Sequence, residues 1–158
     1  MLQEQFMKEC LRLAQMGSAF VAPNPMVGCV VVFDNNIIGT GYHQQYGGPH
    51  AEVNAIESLD SSIKPEDCIL YVNLEPCSHF GQTPPCTDLI LSKGFKKVVI
   101  GALDPNPKVA GTGAAKLKEA GVDVHIGLLE DECKTLNRRF YFYHQNKLPY
   151  LTLKWAEP

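Results

Sequence analysis

His50, Glu52, Cys77 and Cys86 are the residues whose types and spacing could do chemistry. They stand in two short strings, Pro49-His50-Ala51-Glu52 and Glu75-Pro76-Cys77-Ser78-His79-Phe80-Gly81-Gln82-Thr83-Pro84-Pro85-Cys86. One imidazole and two thiolates make three zinc ligands. Three protein ligands with one open position are the pattern of a catalytic zinc, and a closed structural site would need a fourth. The open position takes water, whose pKa zinc lowers to about 7. A Cys₂His set favours zinc over other ions, one per chain.

The placement of these residues fits that chemistry. His50 and Cys86 each open an expected helix, and a helix N-terminus favours the thiolate form of a cysteine. Mid-helix, residues two apart point to opposite sides. In a first turn, His50 and Glu52 both reach a metal beyond the helix end. Glu52 then stands beside the water as a general base without becoming a ligand.

The elements that must position these groups are readable from periodicity. Leu2, Phe6, Cys10, Leu13 and Ala14 recur at helical spacing, which predicts a helix over 2–16 closed by Gly17. Residues 27–33 and 37–43 read as a hairpin around Asp34-Asn35-Asn36. Residues 50–59 read as a helix, 68–73 as a buried strand, 86–93 as a helix closed by Gly94, and 97–102 as a strand. A helix over 112–120, a strand over 122–126 and a helix over 129–141 follow. That order implies an α/β fold of three layers, with a mixed sheet of about five strands and helices on both faces. Residues 74–86 and 103–113 are loop-like and fall at the carboxyl ends of strands, where open α/β sheets bind ligands.

Composition narrows the function classes. The 158 residues are 45% apolar and 20% charged, which suits one compact domain. The net charge of −3 gives no sign of a basic face, so nucleic acid is not an expected partner. No apolar run approaches the ~20 residues that cross a membrane. The amphipathic N-terminus is not a signal peptide. A reduced, cytoplasmic setting is therefore expected for the six cysteines. Cys10, Cys29, Cys68 and Cys133 sit in apolar periodic positions and read as buried small residues.

His-x-Glu followed by Pro-Cys and a second Cys is a signature of zinc deaminases of nucleobases. Here Cys77 and Cys86 enclose eight residues instead of two. With PNPMVGCVVV before it and DPNPKVAGTG after it, the string HAE…LEPCSHFGQTPPC resembles the deaminase domain of the riboflavin-biosynthesis deaminase/reductase family, over roughly residues 5–150. That resemblance implies a cytidine-deaminase-like fold and a zinc-dependent hydrolase acting on a cyclic amidine C–N bond. It implies hydrolysis of 2,5-diamino-6-(5-phosphoribosylamino)pyrimidin-4(3H)-one to 5-amino-6-(5-phosphoribosylamino)uracil and ammonia. By motif match, Asn24, His43, Ala51 and His79 would contact this small-molecule substrate, with Asp104 and Asn106 at the ribose-phosphate end. Gln82 stands where many members of the family carry a cation for the phosphate. A homodimer is the family habit. Residues 1–146 read as the deaminase domain. Residues 147–158 resemble the start of a reductase domain, so a reductase domain or protein is a possible partner and no reductase activity is expected of the chain itself.

Blander readings stand beside these. Cys77 and Cys86 could pair as a disulfide, or His79 could close a structural zinc site. Asn24, Asp104 and Asn106 could be turn residues. Gly111-x-Gly113 reads as a flexible turn, too weak a pattern for a phosphate loop. His125 and His144 receive no role. The run Phe140-Tyr141-Phe142-Tyr143 reads as core or oligomer packing. At the level of function, another nucleobase or nucleoside deaminase, or a silent zinc module that assembles with a reductase, are the competitors.

Overall fold

The computed structural model describes residues 2–81 and 84–155. In chain order the elements are α1 (Glu4–Gln15), β1 (Gly28–Phe33), β2 (Asn36–Tyr42), α2 (Ala51–Glu57), β3 (Ile69–Leu74), α3 (Cys86–Lys93), β4 (Lys97–Ala102), α4 (Thr112–Glu119), β5 (Asp123–Ile126), α5 (Glu130–Leu136) and α6 (Arg138–Asn146). The sheet runs β2-β1-β3-β4-β5. β1 pairs antiparallel with β2 and β3, while β3–β4 and β4–β5 are parallel, so the expected mixed sheet of five strands is present. The β1–β2 turn is made by Asp34 and Asn35, both at positive φ, a conformation that Asn and Asp tolerate better than other side chains.

Alternation along the central strands divides the core in two. Cys29, Val31, Leu70, Val72, Val98 and Ile100 face α2, α3 and α4. Val30, Val32, Tyr71, Val99 and Ala102 face Phe6, Met7 and Cys10 of α1, Cys133 of α5 and Tyr141 of α6. Helices therefore cover both faces. All six cysteines are free, and Cys10, Cys29, Cys68 and Cys133 are buried as expected.

α2 lies unusually close to the sheet. A Cβ on Gly41 of β2 would stand 2.3 Å from Ala55 N and 2.4 Å from Ala51 O. Only glycine permits that approach, and it sets the depth at which α2 presents its first turn.

One expectation needs correction. The helix expected over 129–141 is two helices, α5 and α6, broken at Asn137. The Asn137 side chain is buried and accepts from Met26 N at 2.8 Å while donating to Met26 O at 2.8 Å. At the same residue the backbone leaves helical geometry, with φ −102° and ψ 25°, and α6 then restarts and runs on to Asn146. Residues 148–155 form no helix or strand. Leu151, Leu153 and Trp155 are 80%, 82% and 81% exposed. No helix among the described residues is long and apolar enough to cross a membrane.

Candidate active site

Three elements bring the metal donors together. His50 is the extended residue that caps α2, Cys77 lies in the loop after β3, and Cys86 is the first residue of α3. His50 Nδ1 lies 3.3 Å from Cys86 Sγ and 3.6 Å from Cys77 Sγ, and all three donor atoms fall within 4.8 Å of one another. A tetrahedral zinc, with bonds of about 2.0–2.3 Å, needs donor–donor edges of about 3.6 Å. The donor set and its spacing fit one zinc ion. His79 is not part of this cluster.

The electrostatics are those of a site built for a cation. Cys86 N donates to Cys77 Sγ at 3.2 Å. The hydrogen bond from Cys86 pulls the Cys77 thiol down to about 4, and the same bond pushes Cys86 up. His50 is raised by its hydrogen bond to Cys77. A zinc ion held by His50, Cys77 and Cys86 would require both thiols as thiolates. Glu52, in the first turn of α2, is only 3% exposed, and burial raises its carboxyl to about 7. That places it near the operating pH of a proton carrier.

These groups open onto a cavity of about 380 Å³, a size suited to a small molecule. Asn24, His43, Ala51, His79 and Asp104 all line it, as do Glu52 and two of the three donors, His50 and Cys77. Asn106 does not. Its amide N–H donates to Asp104 Oδ1 at 2.7 Å and its own Oδ1 accepts from Lys108 N at 3.2 Å, so it shapes the turn. Gln82 lies outside the described residues. Burial raises the Asp104 carboxyl. A larger open groove of about 1550 Å³ meets the cavity at Asn24, Pro25 and Phe140, but holds none of the three metal donors.

His43 is buried, and its tautomer is fixed. Pro49 O can only accept, so His43 Nδ1–H donates to it at 3.0 Å. Nε2 then accepts from Asn24 Nδ2 at 3.1 Å. Burial lowers the His43 pKa, in keeping with a neutral ring. This orients the Asn24 amide, with Oδ1 as its remaining acceptor.

The sequence reading missed residues that hold the walls. Asn73 Oδ1 accepts from Gly28 N at 2.8 Å, and its Nδ2 donates to Met26 O at 3.1 Å. With Asn137 it pins the loop that carries Asn24. Glu75 binds the opposite loop, 104–114, through four backbone amides. Among the described residues, the buried polar side chains are His43, Glu52, Asn73, Glu75, Thr87 and Asn137. Five of them line or brace this cavity, and Thr87 directly follows the ligand Cys86. The signal available for Asn73 was a lone amide in the apolar run CILYVN; for Glu75 it was adjacency to Pro76-Cys77. Tyr46 and Phe140 also line the cavity, and Phe140 shares a run that reads as core or oligomer packing.

Comparison with known proteins agrees with this geometry. Residues 1–102 match the family described as the cytidine and deoxycytidylate deaminase zinc-binding region. The chain is 47% identical over 156 residues to the riboflavin biosynthesis protein RibD of Aquifex aeolicus (strain VF5), covering 99% of this chain and 43% of that protein. It is 42% identical over 144 residues to the diaminohydroxyphosphoribosylamino-pyrimidine deaminase of Buchnera aphidicola subsp. Schizaphis graminum, covering 91% of this chain and 97% of that one. The crystal structure of a diaminohydroxyphosphoribosylaminopyrimidine deaminase/5-amino-6-(5-phosphoribosylamino)uracil reductase from Thermotoga maritima superposes with a TM-score of 0.88 at 49% identity, over 93% of this chain and 42% of that one. The chain thus spans well under half the length of the bifunctional relatives and nearly all of the shorter one. With its zinc-donor cluster, its five-stranded fold and these matches, the chain belongs to the diaminohydroxyphosphoribosylaminopyrimidine deaminases of riboflavin biosynthesis, within the cytidine-deaminase-like zinc proteins.

Proposed function

We propose that the chain hydrolyses the 2-amino group of 2,5-diamino-6-(5-phosphoribosylamino)pyrimidin-4(3H)-one, giving 5-amino-6-(5-phosphoribosylamino)uracil and ammonia. The observation that carries this reading is the Glu52 carboxyl, buried in the cavity beside a three-donor zinc site. When bound by His50, Cys77 and Cys86, zinc supplies a Lewis acid that makes water nucleophilic at neutral pH. Glu52 takes a proton from the attacking water and delivers it to the ring nitrogen next to the carbon under attack. It then carries the second proton to the departing amine as the C–N bond breaks. Asn24, held by His43, accepts from an N–H of the pyrimidine. Ala51 and His79 border the ring, and Asp104 stands at the sugar end. Residues 1–146 form the deaminase unit in this reading, and residues 147–158 resemble the start of a reductase domain.

Among the described residues that line the cavity, none is Lys or Arg. The phosphate therefore makes a sharp test. The decisive measurement is ammonia release by the zinc-loaded protein from the phosphoribosyl compound, its dephosphorylated form, cytidine and guanine. Selective turnover of the first supports the assignment. Turnover of another keeps the chemistry and overturns the substrate. No turnover with zinc bound overturns the enzymatic reading. The same reading holds the enzyme to be a cytoplasmic homodimer whose product goes to a reductase. A reducing compartment suits it because a Cys77–Cys86 disulfide would remove two ligands, and sedimentation checks the dimer.

A further inference from the structure

Glu75 stands two residues before the ligand Cys77, yet its carboxylate points to a different loop. Its Oε2 accepts from Asp104 N and Gly111 N, each at 3.0 Å. Its Oε1 accepts from Gly113 N at 2.9 Å and Ala114 N at 3.1 Å. The side chain is 6% exposed. A carboxylate has about four acceptor positions, and here all are used. Glu75 lines the cavity, but no lone pair is left for a substrate proton.

Ala114 is anchored in the core, but few other hydrogen bonds tie residues 104–111 to the rest of the described chain. Val109 N and Ala110 N bond back to Asn106 O, and Asn106 N to Asp104, so the segment's turns close on themselves. Its other tie to the ligand loop pairs Thr112 Oγ1 with Ser78 Oγ at 2.7 Å. Both ties therefore run to residues 75–78. The two loops also touch closely, since a Cβ on Gly113 would stand 2.1 Å from Pro76 O.

We propose that Glu75 is a positioning residue: by binding four backbone amides of residues 104–114 it locks the cavity wall bearing Asp104 to the loop bearing Cys77. This rests on the reading of the cavity as the pyrimidine site. Three of the four amides belong to the turn into α4 and its first residues, where an anion would otherwise bind. The protein's own carboxylate occupies that place, so Gly111-x-Gly113 is closed to a substrate phosphate. The wall is thus set before substrate arrives, and Glu75 acts on binding and not on proton transfer.

Amide hydrogen exchange on the zinc-loaded wild type is the first test. The amides of Asp104, Gly111, Gly113 and Ala114 should be protected together, at rates close to those of β4; exchange at open-loop rates overturns the proposal. Glu75→Gln turns an NH₂ toward one pair of amides and releases it. It should keep one zinc per chain and accelerate exchange in 104–114. KM should rise about tenfold or more, with kcat within about threefold, on whichever compound the wild type turns over. Loss of zinc, a kcat collapse like that of a Glu52 variant, or an unchanged KM would each overturn it. Gly113→Ala pries the same loops apart from the other side and should give the same KM-weighted signature, which decides the matter if Glu75→Gln does not fold. Should the wild type turn over nothing in the panel, the functional reading fails, while exchange and zinc content still decide whether the clamp exists.

Discussion

Glu52 lies where burial and chemistry pull in the same direction. A carboxyl held near neutrality by its surroundings exchanges protons readily with water and with a ring nitrogen, and because it is not a donor in the cluster it can be changed without losing the ion. Glu52→Gln should keep one zinc per chain and lose about 10²–10⁴-fold in turnover, checked by ammonia release beside metal analysis. Cys77→Ala should lose zinc and activity together. The zinc-free protein offers a second check. Its Glu52 faces His50, Cys77 and Cys86, and its pKa rises from 4.5 to about 7 on folding. Between those values the folded chain holds a proton that the unfolded chain has released, so stability falls as pH rises through that window. Zinc-free Glu52→Gln should therefore be more stable than the zinc-free wild type at pH 8, by on the order of 3 kcal/mol. The gap should close by about pH 4.5, as thermal melts at several pH values would show. The donors and Glu52 were legible because their chemistry lies in residue type and short spacing. Glu75 and Asn73 were not, because their partners are backbone groups far along the chain.

At the scale of elements, two contacts set the geometry of the site. α2 rests on Gly41, so Gly41→Ala should push the helix outward and carry His50 and Glu52 with it. A loss of about 1–3 kcal/mol is expected, together with weaker zinc binding, measured by urea unfolding and by competition with a chelator. Asn137 holds the loop of Asn24 through Met26. Asn137→Ala leaves Met26 N without its partner, at a cost of about 1–3 kcal/mol in urea unfolding. Strands and helices with local start and stop signals were legible: α3 and β4 run over the predicted residues because Pro85, Gly94 and the apolar run mark their ends. The α5–α6 break was not, since the groups that the Asn137 side chain bonds at the break lie 111 residues away at Met26.

Across the whole molecule, one ion joins three elements that no single hydrogen-bond ladder joins: the start of α2, the loop after β3 and the start of α3. Zinc binds the folded chain and should stabilise it by mass action. Chelation should lower the wild-type melting temperature by about 5–10 °C relative to zinc at ~100 times its Kd, and should not change that of Cys77→Ala. The layered fold was legible in the order of periodic segments, while the polar bracing at one end of the sheet emerges only once the strands are paired. That bracing has a consequence in time. Glu75 must wait for amides 29 to 39 residues further along the chain. At about 5–20 residues per second of synthesis, the wait is about 2–8 s. Through that interval the ribosome has already delivered His50 and Cys77, while the wall that shields them is still unmade. All three zinc donors, the last at Cys86, are thus synthesised before any of the four amides that complete the wall.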